Sequence, residues 1–213
     1  MKIRENFIYP KDIEKHRKYG ASFLNNPIVK PDGDWRKTIP PFEEQRRKNV
    51  ETSACFVYGQ THTIATIEEA TLGEVDNDYA ERPIALLANG TPNGGDPLAA
   101  ADAIWDYGLV KESSMPFEVE SWEQYHSWFG VDKSRVLSEG RADKARKERR
   151  SGLLIERDMP LDTKYKLIEE GLKRSPLPMS VWGVSDGDSY AVKPEGVSDS
   201  HMVEAIYLFN RSI

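Results

Sequence analysis

The sequence predicts an α+β fold in which helices come first and antiparallel strands later, and two observations carry this. Apolar residues recur at helical spacing in the stretches that begin at Cys55, Leu98 and Leu161. PMSVWGVS, DSYAV and HMVEAIYLF instead alternate as strands do, and Gly, Asp, Pro and Ser separate them. A wound parallel sheet would interleave the two element types, so the order argues against one.

Residues 1–33 hold charged, helix-prone pieces broken by Pro10, Pro27 and Pro31, and read as an extension packed on the domain surface. Asp34-Trp35-Arg36 opens the main domain, 34–213, and Pro40-Pro41 excludes helix there. The run CFVYGQTHTIATIEEATL, from Cys55 to about Leu72, has apolar residues at 57, 58, 64, 65 and 67 and predicts a helix with a broad apolar face. Thr52 or Ser53 is the expected N-cap. A Gly-rich stretch, NGTPNGGDP, then leads into an Ala-rich helix ending on Gly108. These pieces make a helical lobe over about 34–130. A charged insertion follows at about 131–158, where RADKARKERR carries six basic and two acidic residues and reads as a solvated helix or loop. A further helix has Leu161, Tyr165, Ile168 and Leu172 on one face and stops before Pro176; an antiparallel lobe occupies about 176–213.

Composition narrows the function. Among 213 residues, Lys plus Arg is 29 and Asp plus Glu is 35, a net charge of −6. That balance argues against nucleic acid or an anionic membrane as partner. No apolar run approaches the roughly 18 residues of a membrane span, and the polar N-terminus lacks the apolar core of a signal peptide. With one cysteine there is no intrachain disulfide, and the expected site of synthesis is the reducing cytoplasm. The Gly-rich stretch lacks the Lys-Ser/Thr ending of a phosphate loop, and DGD and DND lack the spacing of a calcium loop. One Cys and four scattered His do not make a structural zinc site, so neither metal nor organic cofactor is expected.

A lone cysteine is ordinarily an inert core side chain, but the position of Cys55 is unusual. In the first turn of a helix its thiol meets the positive end of the helix dipole, which favours thiolate, the reactive form. Of the four histidines, His16 lies in the N-terminal extension, and His62 is on the Cys55 helix but about 10 Å along its axis. His126, within WEQYHSWF, reads as packing. His201 opens the most strand-like apolar run after the loop Val197-Ser198-Asp199-Ser200, where a base could face a helix N-terminus across a cleft.

Asp-Trp-Arg, a Gln, a Cys at a helix start, Asn93-Gly94-Gly95 and a distal Ser-His before a strand follow one another in the order found in papain-like cysteine peptidases, which this chain resembles. CFVYGQTHTI looks like the family's Cys-Trp-Ala-Phe-Ser helix, with Ile64 at the family's Ile. YGLVKESSMPF resembles its Tyr-Gly-hydrophobic pattern, and PMSVWGV its Pro-Val-Ser-Val strand. The separation of 146 positions from Cys55 to His201 falls in the papain-type window of about 130–150. The likeness covers about 34–117 and 160–209 and is nearest to divergent bacteriophage-encoded members, which implies synthesis in the cytoplasm and, for a phage protein, incorporation into a virion.

The resemblance implies a two-lobe papain-like fold, a helical lobe followed by an antiparallel β lobe, and a peptide or protein substrate. It assigns Cys55 as nucleophile, His201 as base, and Gln45 as oxyanion-hole donor on a loop 46–53 that must bulge. Asn93, Gly94 and Gly95 would bind the substrate backbone along the cleft. Several features depart from the family: Phe56 replaces Trp, Ala65 replaces Glu, and the paired cysteines are missing. Only twelve residues follow His201, and Asn210 is too distant along one strand to orient its ring, which leaves Asp199 for that role. Strand 202–209 should then be completed by the N-terminal extension or a protein partner. A catalytically silent papain-like scaffold, for instance in a phage particle, is the alternative reading.

Overall fold

The computed structural model describes residues 27–41, 43–47, 50–75, 77–147, 159–181 and 201–205, with 47, 180, 181 and 201–205 as backbone alone. It is roughly α+β and mainly helical. Helix α1 is Cys55–Leu72, α2 Glu81–Leu87, α3 Pro97–Tyr107, α4 Trp122–Tyr125, α5 Lys133–Arg146 and α6 Leu161–Leu172. Strands β1 (Arg46–Arg47) and β2 (Val50–Glu51) form a small hairpin, and β3 (Leu177–Val181) pairs antiparallel with β4 (His201–Ala205). Among the described residues strands pair only in twos, and no helix is long and apolar enough to cross a membrane.

Helix α1 is the axis of the fold. Its 18 residues span about 27 Å, and Cys55 through Thr61 are buried without a break. Such a helix must satisfy its polar groups internally. Gln60 donates to the carbonyls of Phe56 and Pro97, Thr63 donates to that of Gly59 at 2.7 Å, and Thr61 donates to the carboxyl group of Glu81 at 2.9 Å. Gly73, at φ 69°, ends the helix by donating its N–H to Glu69, a left-handed position that glycine adopts at little cost.

Helices α2 and α3 pack on α1 through Ile84, Ala85, Ala100, Ala103 and Ile104 around Phe56 and Val57. Asp96 caps α3 by accepting from Leu98, with Pro97 in the first helical position. On another side Trp35, fully buried, donates its indole N–H to the Leu172 carbonyl at 2.6 Å and joins Ile67 and Ala70 of α1 to α6 and Leu177. Strands β3 and β4 both lie against α1.

Helix α2 has no counterpart in the sequence reading. It is seven residues long with no side-chain cap, too short to form without tertiary support. That support comes from Arg82, a buried guanidinium that donates to the carbonyls of Gln124, Tyr125, Ser127 and Phe129 at 2.7–3.0 Å. The charged stretch 131–147 forms α5, capped by Asp132. It is not wholly solvated. Val136, Gly140 and Asp143 are buried, and Gly140 meets the backbone of Tyr107 and Gly108 so closely that a β-carbon at either glycine would collide.

Glu81 is 4% exposed. Burial raises its carboxyl well above the usual carboxylate range, and Glu43 nearby raises it further. The folded protein therefore holds a proton that the unfolded chain releases above pH about 4.3. Stability falls as pH rises from there through the folded-state value. Glu81→Gln keeps an acceptor for Thr61 and removes this titration. Its advantage over wild type should grow as pH rises from 4 to 8, as read by urea unfolding at each pH.

Candidate active site at the start of the central helix

Two stretches that the sequence singles out converge on the first turn of α1. The β1–β2 hairpin pairs Arg46 with Glu51 and folds the chain back on itself. Gln45 consequently lies opposite Thr52, whose hydroxyl donates to the Gln45 carbonyl at 3.1 Å. The bulge expected over 46–53 is this hairpin. The turn 91–94 forms the second stretch: Thr91 and Gly94 exchange N–H to carbonyl bonds at 2.8 and 2.9 Å, and Gly94 has φ 96°. It is tied to the first by Ser53, whose hydroxyl donates to the Pro92 carbonyl at 2.9 Å.

Cys55 is the first residue of α1, where unbonded helix N–H groups favour negative charge. Its cap differs from expectation. The N-cap is Ala54, and no side chain caps the helix. Ser53 stands at φ 53°, a strained conformation for a residue with a side chain. It swings both hydroxyls away from the helix end. Thr52 accepts from the Ala54 N–H at 3.3 Å, and the Ser53 N–H donates to Glu51 at 3.1 Å. Cys55 is 1% exposed, and Phe56 beside it is fully buried.

Gln45 adjoins this turn through its backbone, but its side-chain amide donates to Glu51 at 2.6 Å. It is thus held within the hairpin rather than offered as an unbonded donor. Asn93 is exposed at the turn tip, with its N–H on the Thr91 hydroxyl. Gly94 and Gly95 are buried instead of lining an open cleft. A β-carbon at Gly95 would stand 2.3 Å from Phe56 Cζ, so glycine is needed there for packing. His201 begins β4, opposite Val181 and on the strand pair that lies against α1; its side chain, Asp199, Asn210 and His16 are outside the described residues, as are residues 1–26 of the extension and the strand end expected to need covering, while 27–33 lie beside α6, where the Val29 and Lys30 N–H groups donate to the Lys173 carbonyl.

The aromatic run around His126 predicts a packing role, and its ring stacks on Trp122 with centroids 4.2 Å apart. It also reaches the site, with Nε2 3.2 Å from the Thr52 carbonyl. Burial and then the Arg82 charge hold this imidazole below its ordinary pKa, against the Thr52 bond that raises it. At neutral pH the ring is therefore neutral, and Nε2–H is the donor to Thr52. No local signal could have announced a contact across 74 residues. His62 lies away from the site, 4.0 Å from Glu43, with burial lowering its pKa.

A cleft of about 670 Å³ is lined by Glu74, Tyr79, Lys111, Asp143 and Lys147 among others. It sits at the far end of α1, about 27 Å from Cys55 along the axis, too far for its lining to touch a group bound at the thiol. Among the described residues no cluster of His, Cys, Asp and Glu is arranged to hold a metal ion.

Gly95→Ala should destabilise the protein by about 1–3 kcal/mol, because Phe56 must move within a closed core. Phe56→Leu should recover part of that loss in the double mutant. Thermal or urea unfolding of the four proteins reads this, and additive effects would show that the two residues do not compete for space. Comparison of the chain with protein-family models, curated proteins and solved structures finds no match to any of them.

Proposed function

We propose that this protein is a cysteine peptidase of the papain-like kind, with Cys55 as nucleophile and His201 as its base. The observation that carries this reading is the position of Cys55 as first residue of a buried central helix, after a strained turn held by hydrogen bonds from two other segments. Strain concentrated before a nucleophile is a recurrent feature of active sites. In the proposed reaction the Cys55 thiolate adds to a peptide or isopeptide carbonyl carbon, forming a C–S bond. The C–N bond then breaks as His201 gives its proton to the leaving amine, and water hydrolyses the thioester to the acid and the free thiol. The Cys55 backbone N–H would stabilise the oxyanion, joined by the Gln45 amide once released from Glu51.

A second reading has a specific observation in its favour. Cys55 is 1% exposed, as expected of a core thiol in a scaffold or binding protein that retains the architecture without the chemistry.

A thiol-directed peptidyl inhibitor separates the two. Under the peptidase reading it forms an adduct mapped to Cys55 in the folded protein near neutral pH, and His201→Ala slows adduct formation by at least about tenfold by weakening thiolate stabilisation. Labelling that appears only on unfolding would leave the scaffold reading.

A further inference from the structure

His126 occupies its position at a cost. Its Nε2–H is used on the Thr52 carbonyl, while Nδ1 is buried with no hydrogen-bond partner. A buried acceptor left unpaired is destabilising, and a hydrocarbon side chain beside Trp122 would not carry that penalty. The ring is also held on several sides. Trp122 stacks on one face, the Tyr125 ring lies 5.0 Å away edge-on, and Arg82 grips the carbonyls of residues 124, 125, 127 and 129 on either side of it. A β-carbon at Gly90 would stand 2.8 Å from the His126 Cε1, so the absence of a side chain there leaves the ring its place.

All this positioning converges on one atom, the carbonyl oxygen of Thr52, three residues before Cys55. The turn it belongs to contains the strained Ser53 and ends at a helix with no side-chain cap. Bonds from Gln45, Glu51 and Pro92 hold the hydroxyls and N–H groups of this turn, and His126 holds its carbonyl.

From these contacts we infer that His126 is a positioning residue for Cys55: it fixes the turn at Thr52 and thereby the direction in which the first residue of α1 presents its thiol and backbone N–H. This rests on the reading of Cys55 as a reactive nucleophile. It assigns His126 no proton transfer. The geometry requires a neutral donor at Nε2 and nothing from Nδ1.

The test is the rate of Cys55 alkylation by iodoacetamide across pH in the folded full-length chain, with thermal unfolding of every variant alongside. His126→Phe and His126→Ala both lack the donor, and reading both guards against either failing to fold. Each should react at least about tenfold more slowly than wild type on the high-pH plateau, since misdirection of a reacting group by an ångström costs rate on that scale or more. Their thermal midpoints should stay within a few degrees of wild type. His126→Gln, whose amide can donate to Thr52, should restore most of the rate. A purely structural role would give the reverse, with lower midpoints and unchanged or faster alkylation. That result, an unrestored rate in His126→Gln, or a wild-type thiol that does not react in the folded state, overturns the inference. The peptidase reading fails on a different arm: His201→Ala would then leave the pH profile of wild type unmoved while the His126 variants remain slow.

Discussion

The buried guanidinium of Arg82 is the interaction on which the site end of the molecule depends. It makes four hydrogen bonds to backbone carbonyls of the segment 124–129, and burial lowers its pKa from the usual arginine value. A charge taken out of water is tolerated only when its donors are matched, and here the matching groups are carbonyls left over where the four-residue α4 ends. The exchange is mutual. Arg82 gains acceptors, and a segment with too little regular structure to define its own path acquires one. His126 lies inside that segment, so its approach to Thr52 follows from where α2 places Arg82.

From Thr52 the constraint passes into α1. The turn 52–54 is held by the β1–β2 hairpin, by the 91–94 turn and by His126, three segments distant from one another in sequence. This explains how Ser53 persists in a left-handed conformation worth about 1–3 kcal/mol of strain, and how the helix starts without a side-chain cap. Gly95 against the Phe56 ring adds a steric limit, because the 91–95 segment cannot move inward without displacing a fully buried aromatic side chain.

The opposite end of α1 is held by charge. Lys147, at the close of α5, donates to Glu68, Glu74 and the Tyr79 hydroxyl, and Tyr79 in turn donates to Glu68. Burial acts to lower the Lys147 pKa, but these acceptors outweigh it and raise the group above the ordinary lysine value. The Leu109 N–H donates to Asp143 at 3.1 Å and fixes α5 against the end of α3. One end of the central helix is therefore set by convergent hydrogen bonds around Thr52, and the other by an ion pair network that welds the charged helix α5 to the core.

Much of this fold is legible in the sequence because it is local. The 3.6-residue periodicity of CFVYGQTHTIATIEEATL, Asp96-Pro97 before an Ala-rich run, Gly108 after it, and Pro176 beyond LDTKYKLIEEGLKRS each act within a few residues, and α1, α3, α6 and β3 form where those signals place them. The same holds for Cys55 as a helix-start residue. Tertiary structure alone decided what depends on contacts between distant residues. Helix α2 is held by the core contacts of Ile84 and Ala85 and by Arg82, whose acceptors lie more than forty residues away, and no pattern in ERPIALL announces them. Thr52 and Ser53 have the chemistry of helix caps, yet Gln45, Glu51 and Pro92 claim their hydrogen bonds first. Gly94 and Gly95 look like an open backbone platform, and the Phe56 ring makes Gly95 a packing residue instead. His126 sits in an aromatic run that reads as core, and its second role appears only when the Thr52 carbonyl arrives at its Nε2. Residue type and spacing establish which groups a segment can bond, while the partner that satisfies each buried group depends on which segments meet.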